Sequence, residues 1–188
     1  MEGGDRFVFG AADVSGKAMK AAVRVMQLSG MYRYELRADR TPAQVLRGLH
    51  WSLLDDLDAA SFVTACLASL NAETGHVKLA NGGHPYPIHI TADGDLREIE
   101  MPSIPLGMTL PFGVSHNVAE AELTLQSGDT LVLYTDGITD LQDVDGEFYG
   151  DERFLAALKR LAGKQPTELV DALMDELGKF RGKAAQAD

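Results

Sequence analysis

The chain alternates between segments with strand periodicity and segments with helical periodicity. Residues 6–14 carry apolar side chains on both faces, as a strand inside a layered core does. An apolar stripe at helical spacing then predicts a helix over residues 17–37. A second helix is predicted to begin at Thr41, because Thr41 suits the N-cap, Pro42 suits the first helical position and Gln44 completes a capping box.

The middle of the chain is rich in short apolar segments separated by turn residues. Strands are predicted at residues 61–71, 76–81, 85–90, 96–100, 114–125 and 129–136. Two helices are predicted to follow, at residues 151–162 and 166–181. Hairpin-linked strands do not form parallel strand–helix–strand units. The order of elements therefore predicts an α+β fold, with antiparallel sheet covered by helices.

Length and charge narrow the class of protein. The chain has 188 residues, a length typical of one domain. It carries 17 Lys and Arg against 28 Asp and Glu, and the net charge of -11 disfavours nucleic acid and anionic membranes as partners. A single cysteine, no apolar run long enough to span a membrane and no signal peptide together predict a cytoplasmic protein.

Several common catalytic motifs are absent from the sequence. There is no phosphate-binding G-x-x-x-x-G-K-[ST] loop, no G-x-G-x-x-G, no H-E-x-x-H and no G-x-S-x-G. Cys66 lies in the middle of an apolar strand, which makes it a poor candidate for a thiolate nucleophile. The sequence therefore gives no signature of covalent catalysis.

Two aspartates lie where an apolar strand is predicted to leave the core. Asp13 precedes Ser15, and Asp136 precedes Thr139, with a glycine close to each pair. A buried carboxylate must be protonated, paired or metal-bound, and two at one end of a sheet would suit a hard divalent cation. An aspartate after a strand is also a common turn former or helix cap. The residues by themselves leave both interpretations open.

Around these aspartates the chain resembles the PPM-type metal-dependent protein serine/threonine phosphatases, in the bacterial branch similar to stage II sporulation protein E. Six motifs occur in the family's order, at Ala12–Lys17, Phe62–Ala65, Ala80–Pro85, Pro105–Gly107, Gly128–Gly137 and Gly146–Gly150. The segment Gly128–Gly137 matches the family pattern G-D-x-L-x-L-Y-T-D-G almost letter for letter.

The resemblance implies two packed antiparallel β-sheets flanked by helices, with Mn²⁺ or Mg²⁺ at the end of the sandwich. The complete family site holds two ions. Asp13 and Asp136 match metal-binding aspartates and are the expected catalytic residues, and Val14 would contribute its backbone carbonyl. Asp188 matches the first residue of a C-terminal D-D/N motif. The implied mechanism is hydrolysis without a covalent intermediate.

The resemblance also implies partners and a place in signalling. The expected substrate is a phosphorylated signalling protein of the anti-anti-sigma type, in a full-length protein that carries an upstream sensor or receiver domain and forms a homodimer. The family has an upstream G-G-D-[FY]-x-D hairpin, whereas Gly3-Gly4-Asp5 matches its letters alone and is predicted to form a turn. The chain is therefore predicted to be a single phosphatase-like domain over residues 1–188, trimmed at both ends and lacking terminal strands.

Two functional alternatives stay open at this point. A catalytically incomplete regulatory or partner-binding module on the same fold would explain the departure from the N-terminal motif. A small-molecule esterase lacks any nucleophile signature. Within the motifs, His84 is expected either to orient a phosphate or donate a proton, or else to cap a turn. Thr64 is predicted to be a core strand residue.

Overall fold

The computed structural model describes residues 6–15, 18–36, 39–56, 62–108 and 117–183. The elements of this part of the chain are β1 (Arg6–Val14), α1 (Ala18–Glu35), α2 (Pro42–Asp56), β2 (Val63–Asn71), β3 (His76–Gly82), β4 (Ile88–Ile90), β5 (Leu96–Glu98), β6 (Ala119–Thr124), β7 (Thr130–Val132), α3 (Gly150–Leu161) and α4 (Pro166–Arg181). Every strand pair is antiparallel, which agrees with the predicted hairpin-linked strands.

The strands form two sheets, one in each of two compact units. The first unit contains the described residues up to Tyr86 and those from Glu100 to Thr124, and the second contains the rest. The sheet of the first unit has the strand order β1-β2-β3-β6, and that of the second has the order β5-β4-β7. That residues 1–188 form one domain stays a prediction.

The core of the first unit lies between helices α1 and α2 and one face of the four-stranded sheet. Its buried side chains on α2 are Ala43, Val45, Leu46, Leu49 and Leu53, and those on the sheet are Val63, Ala65, Leu67 and Ala80, with Leu106 and Val118 from the connecting segments. Because side chains alternate along a strand, the odd-numbered residues of β2 face this core and the even-numbered ones, including Thr64, face away from the helices.

The predicted capping box at the start of α2 is confirmed. The backbone N–H of Gln44 donates to the Thr41 hydroxyl at 3.3 Å, and the backbone N–H of Thr41 donates to the Gln44 side-chain oxygen at 2.9 Å. Two backbone donors that the helix itself cannot pair are satisfied in this way. The helix begins at Pro42, the residue predicted for its first helical position.

The core of the second unit lies between the three-stranded sheet and helices α3 and α4. Its buried residues are Ile88, Ile90, Tyr149, Phe154, Ala157, Leu158, Leu161, Leu169, Leu173 and Leu177. The helical members recur every three or four residues, which places them on one face of each helix. The Tyr134 ring packs against Phe154 with centroids 4.5 Å apart.

Strands β4 and β7 are shorter than the sequence predicts. The predicted strands covered residues 85–90 and 129–136, whereas the paired residues are Ile88–Ile90 and Thr130–Val132. Since Val132 pairs with Ile88, extension of β7 by one residue would bring it opposite Pro87. The Pro87 carbonyl accepts the backbone N–H of Ile99 at 2.8 Å, so Pro87 turns its backbone toward the β5 side and adds no bond to β7.

Across residues 6–15, 18–36, 39–56, 62–108 and 117–183, no helix is both long and apolar enough to cross a membrane.

The capping box yields a test of the local sequence analysis. Replacing Thr41 by alanine should lower the free energy of unfolding by about 1 kcal/mol, because a backbone N–H at the start of α2 loses its acceptor. The Thr41→Ala and Gln44→Ala variants and the double variant should be unfolded with urea. Since the two bonds are reciprocal, the losses of the single variants should not add up in the double variant. Fully additive losses would contradict the reciprocal box.

Candidate functional site

Asp13 lies near the end of β1, on the sheet face that points away from helices α1 and α2. Its cross-strand partner is Thr64 on β2. Its side chain is exposed, so the argument that burial forces it to be paired or metal-bound does not apply in this structure. Among the described residues, no group donates a hydrogen bond to its carboxylate. The part of the chain that the structure describes thus leaves the exposed Asp13 carboxylate without a hydrogen-bond donor.

The ladder between β1 and β2 determines where the Val14 carbonyl points. The backbone N–H of Ser15 donates to the carbonyl of Phe62 at 3.0 Å, which makes Ser15 and Phe62 a hydrogen-bonded pair. Such pairs alternate along an antiparallel ladder, so Val14 and its partner Val63 form a non-hydrogen-bonded pair. The Val14 carbonyl therefore points away from β2, toward the edge of the described sheet.

Asp136 lies in a tight turn over residues 136–140 rather than at the end of a strand, because β7 already ends at Val132. Its carbonyl accepts the backbone N–H of Asp140 at 2.7 Å and the Thr139 hydroxyl at 3.1 Å. Its side chain is exposed, and no described residue donates a hydrogen bond to the carboxylate. The turn is thus held by the Asp136 backbone, and its carboxylate does not cap it.

The predicted metal ligands are distributed over the two units. Asp13 and Val14 belong to the first unit and Asp136 to the second, while Asp188 lies outside the described residues. The Gly3-Gly4-Asp5 segment, predicted to be a turn, also lies outside them. That these ligands share one site stays a prediction. Within the described ranges, no three His, Cys, Asp or Glu side chains are grouped closely enough to hold a metal ion.

The N-G-G-H-P motif forms a loop closed by the Asn81 side chain. Asn81 is fully buried, its side-chain oxygen accepts the backbone N–H of His84 at 2.8 Å, and its amide donates to the carbonyl of His84 at 2.9 Å. Two hydrogen bonds to one residue fix the position of His84 on the sheet. His84 is itself 4% exposed, and its Nδ1 lies 2.8 Å from the hydroxyl oxygen of Thr64.

The P-L-G motif packs against this loop and against β2. The backbone N–H and carbonyl of Leu106 both bond to Val63, at 2.7 and 3.0 Å. Gly83 has a φ of +73° and has no space for a side chain, since an added Cβ would approach Pro105 to 2.6 Å. Helix α2 contributes His50, whose Nδ1 accepts the backbone N–H of Gly107 at 3.1 Å. Three of the six motifs therefore form one packed structure.

In the second unit, Asp129 ties β7 to the β4–β5 hairpin. Its carboxylate accepts the backbone N–H groups of Gln126 at 3.0 Å and Ala92 at 2.9 Å, and it lies 2.9 Å from the Nε2 of His89. The Gln126 N–H and the bond from His89 lower the pKa of Asp129, although burial opposes them. The conspicuous aspartate of the G-D segment is thus a structural residue.

The structure supports the exclusion of a cysteine nucleophile. Cys66 is fully buried on β2, and burial raises the pKa of its thiol to about 12. A thiol with that pKa is protonated at neutral pH and is not an effective nucleophile.

Sequence reasoning missed the contacts made by Asn81, Thr64 and His50. Thr64 was predicted to be an ordinary strand residue, and it is in addition the hydrogen-bond partner of His84. The adjacent glycines of the N-G-G-H-P motif were the available signal, because they mark a backbone that turns sharply. Which side chains meet at that turn depends on pairing between distant segments.

Comparison with known proteins identifies the family. The model of the Stage II sporulation protein E (SpoIIE) family matches residues 3–188, so the chain belongs to this family. The chain is 26% identical over 136 residues to the phosphoserine phosphatase RsbU of Bacillus subtilis, an alignment covering 72% of this chain and 39% of RsbU. The family predicted from the six motifs is confirmed.

Solved structures confirm the fold. The SiaA-PP2C domain of Pseudomonas aeruginosa superimposes with a TM-score of 0.85 at 21% identity, covering 100% of this chain and 74% of that one. The RsbU and RsbW domains of Rv1364c from Mycobacterium tuberculosis superimpose with a TM-score of 0.78 at 25% identity, covering 95% of this chain and 49% of that one. RsbX in complex with magnesium superimposes with a TM-score of 0.65 at 14% identity, covering 94% of this chain and 75% of that one. The predicted arrangement of two antiparallel sheets with helices is therefore that of PP2C-type domains.

The chain spans less than half the length of the curated relatives that it matches. It covers 39% of RsbU and 18% of protein IcfG from Synechocystis.

The contacts of Asp129 predict a measurable dependence of stability on pH. Because the folded-state pKa of Asp129 is lowered, its stabilising contribution is present above the unfolded pKa of about 3.9 and is lost as the pH falls through the folded pKa. Replacing Asp129 by asparagine should lower the free energy of unfolding by about 2 kcal/mol at pH 7, and by progressively less as the pH falls below about 3.9 toward the folded-state pKa. Urea unfolding between pH 7 and pH 3 measures this dependence.

The control is Asp93→Asn, at an exposed position in the hairpin turn of the same unit. This variant should follow the wild-type profile. If Asp129→Asn also follows it, the Asp129 carboxylate does not hold the sheet as described.

Proposed function

We propose that the chain is the catalytic part of a metal-dependent serine/threonine phosphoprotein phosphatase in bacterial signalling. The observation that carries the proposal is the match to the SpoIIE family over residues 3–188. The Asp13 and Asp136 carboxylates add to it, because no described residue donates a hydrogen bond to either of them. RsbU is a phosphoserine phosphatase, and the similarity of this chain to it supports the same class of reaction. Asp13 and Asp136 are the proposed catalytic residues.

The donor set fits the cation that the family implies. Asp13 and Asp136 offer carboxylate oxygens, and Val14 offers a carbonyl oxygen directed away from β2. Oxygen donors of this kind suit Mg²⁺ and Mn²⁺, whereas Zn²⁺ sites generally use His and Cys. We propose these three residues and Asp188 as ligands of Mn²⁺ or Mg²⁺, and the magnesium complex of RsbX supports the choice of a hard cation.

The proposed chemistry divides between the metal and the protein. Bound divalent cations supply stabilisation of the phosphoryl oxygens and a water of lowered pKa. The Asp13 and Asp136 carboxylates are both exposed, and their proposed role is to bind cations from solvent. Attack by water without a covalent intermediate agrees with the burial of Cys66.

The proposed substrate is a phosphorylated signalling protein, most specifically one of the anti-anti-sigma type. The curated relatives are much longer than this chain, which supports an attached sensor or receiver domain in the full-length protein. The Rv1364c structure, which contains an RsbU domain and an RsbW domain, supports a full-length protein of more than one domain. The cytoplasmic location and the homodimer stay predictions.

One observation favours a second candidate, a catalytically incomplete regulatory or partner-binding module on the same fold. In the part of the chain that the structure describes, no group of three or more metal-binding side chains is present. A module of this kind would bind a phosphoprotein without hydrolysing it. Assays of hydrolysis and of metal binding separate the two candidates.

The proposal predicts hydrolysis of p-nitrophenyl phosphate and of a phosphoserine peptide that depends on Mn²⁺. Replacing Asp13 or Asp136 by asparagine should lower kcat/KM for both substrates by about 100-fold or more, because several kcal/mol of transition-state stabilisation are lost with the metal. The exposed carboxylates Glu73 and Asp93 provide matched controls, one in each unit, and Glu73→Gln and Asp93→Asn should retain activity.

Thermal melts test whether the metal acts through the same residues. A hundredfold excess of Mn²⁺ over its dissociation constant should stabilise the wild-type protein by about 2.7 kcal/mol. Asp136→Asn should melt as the wild type does without metal and should lose the response to Mn²⁺. Full hydrolysis by Asp13→Asn and Asp136→Asn would refute the assignment of these residues, and binding of Mn²⁺ without hydrolysis would favour the non-catalytic module.

A further inference from the structure

We propose that Thr64, held by His84, is a positioning residue for Asp13. Its hydroxyl would hydrogen-bond the water or phosphoryl oxygen that gathers beside the Asp13 carboxylate when a divalent cation binds there. This inference rests on the proposed function. It adds to that function two residues that do not belong to the proposed ligand set.

The register of the sheet places Thr64 beside Asp13. The two residues are direct cross-strand partners. Hydrogen-bonded pairs recur at every second position of an antiparallel ladder, and Ser15 and Phe62 form such a pair two positions away. Asp13 and Thr64 are therefore a hydrogen-bonded pair as well. Side chains of directly opposed residues lie on the same sheet face, with Cβ atoms about 5 Å apart. That face is the one turned away from the core under α1 and α2, where Ala65 and Val63 are buried.

The His84 imidazole fixes the Thr64 hydroxyl. His84 Nδ1 lies 2.8 Å from the Thr64 oxygen, within hydrogen-bonding distance. The backbone of His84 is in turn fixed by two bonds to the buried Asn81 side chain, and that of Gly83 by a bond from its N–H to the Ser103 hydroxyl at 2.8 Å. Thr64 is therefore attached to a rigid loop rather than to a mobile side chain.

The chemistry of a hydroxyl makes this arrangement useful. A threonine oxygen offers one donor and two acceptor positions, and the bond to His84 uses one of these three. The remaining positions lie on the sheet face that Asp13 shares. Residues that hydrogen-bond metal ligands or their waters typically change metal affinity or activity by 10- to 100-fold when they are removed. A buried imidazole restricts the directions in which the hydroxyl can donate or accept.

A purely structural role makes a different prediction. If Thr64 and His84 merely close the loop, their removal lowers stability and leaves the affinity for Mn²⁺ unchanged. Ser69 provides the matched control, because it lies on the same strand and its hydroxyl also accepts a side-chain bond, from Arg6 Nε at 2.9 Å. Five residues of strand, roughly 17 Å, separate it from Thr64.

The experiment is a calorimetric titration of the 188-residue chain with Mn²⁺ alone, followed by p-nitrophenyl phosphate kinetics. Thr64→Val, which keeps the shape and removes the hydroxyl, should raise the Mn²⁺ dissociation constant about tenfold. Thr64→Ser should restore it, and Ser69→Ala should leave it unchanged. His84→Gln should weaken binding by itself and should change it less than twofold in the Thr64→Val background, because His84 is proposed to act through Thr64.

The outcomes separate this inference from the proposed function. Wild-type Mn²⁺ affinity in Thr64→Val, or equal effects of Thr64→Val and Ser69→Ala, overturns the positioning role. If Thr64→Val does not fold, a wild-type affinity in His84→Gln overturns it instead. A wild-type chain that binds Mn²⁺ without hydrolysis overturns the phosphatase assignment alone, and one that binds no Mn²⁺ overturns both.

Discussion

The antiparallel pairing of β1 with β2 is the constraint on which the account of the site depends. It places Asp13 opposite Thr64, and it determines which carbonyls of β1 point away from the sheet. A shift of one residue in this register would move Asp13 to the helix-packed face and turn the Val14 carbonyl toward β2. The packing of Val14 against the core under α1 and α2 opposes such a shift, because the shift would turn the Val14 side chain out of that core. Packing of the core thus determines the geometry of the carboxylate.

A second level of order comes from buried polar groups. Asn81 is fully buried and satisfies both hydrogen-bonding groups of the His84 backbone, and the P-L-G loop is bonded to Val63 on β2. A buried polar group without partners is costly, so the bonds that pair these groups favour one conformation of the loop. The segments that resemble the family most closely in the first unit are therefore largely scaffold. They hold the ends of the strands at which Asp13 and Thr64 lie.

The sequence predicted features that depend on neighbouring residues and missed those that depend on pairing between distant segments. The capping box of Thr41 and Gln44 was predictable because its two halves are three residues apart. The length of β7 was not predictable in this way. Pro87 lies opposite the residue that follows Val132, and this placement depends on the register between distant strands.

The candidate site shows the same division between what the sequence reveals and what only the fold determines. The motifs identified Asp13 and Asp136 through family resemblance, but the argument that burial would force them to bind a metal was wrong, since both are exposed. The Thr64–His84 contact joins residues 20 positions apart, and nothing local marks it. The hydrogen bonds of Asp129 to Ala92 and His89 likewise depend on which strands pair, and the sequence does not reveal that.

The central claim is that the Asp13 and Asp136 carboxylates bind the cation used in hydrolysis. Its most direct test is a crystal structure of the chain grown with Mn²⁺, with anomalous diffraction measured at the manganese edge. If both carboxylates bind the cation, anomalous peaks should lie within metal–oxygen coordination distance of carboxylate oxygens of both aspartates. Manganese bound elsewhere, or bound to neither carboxylate in crystals of an active protein, would contradict it.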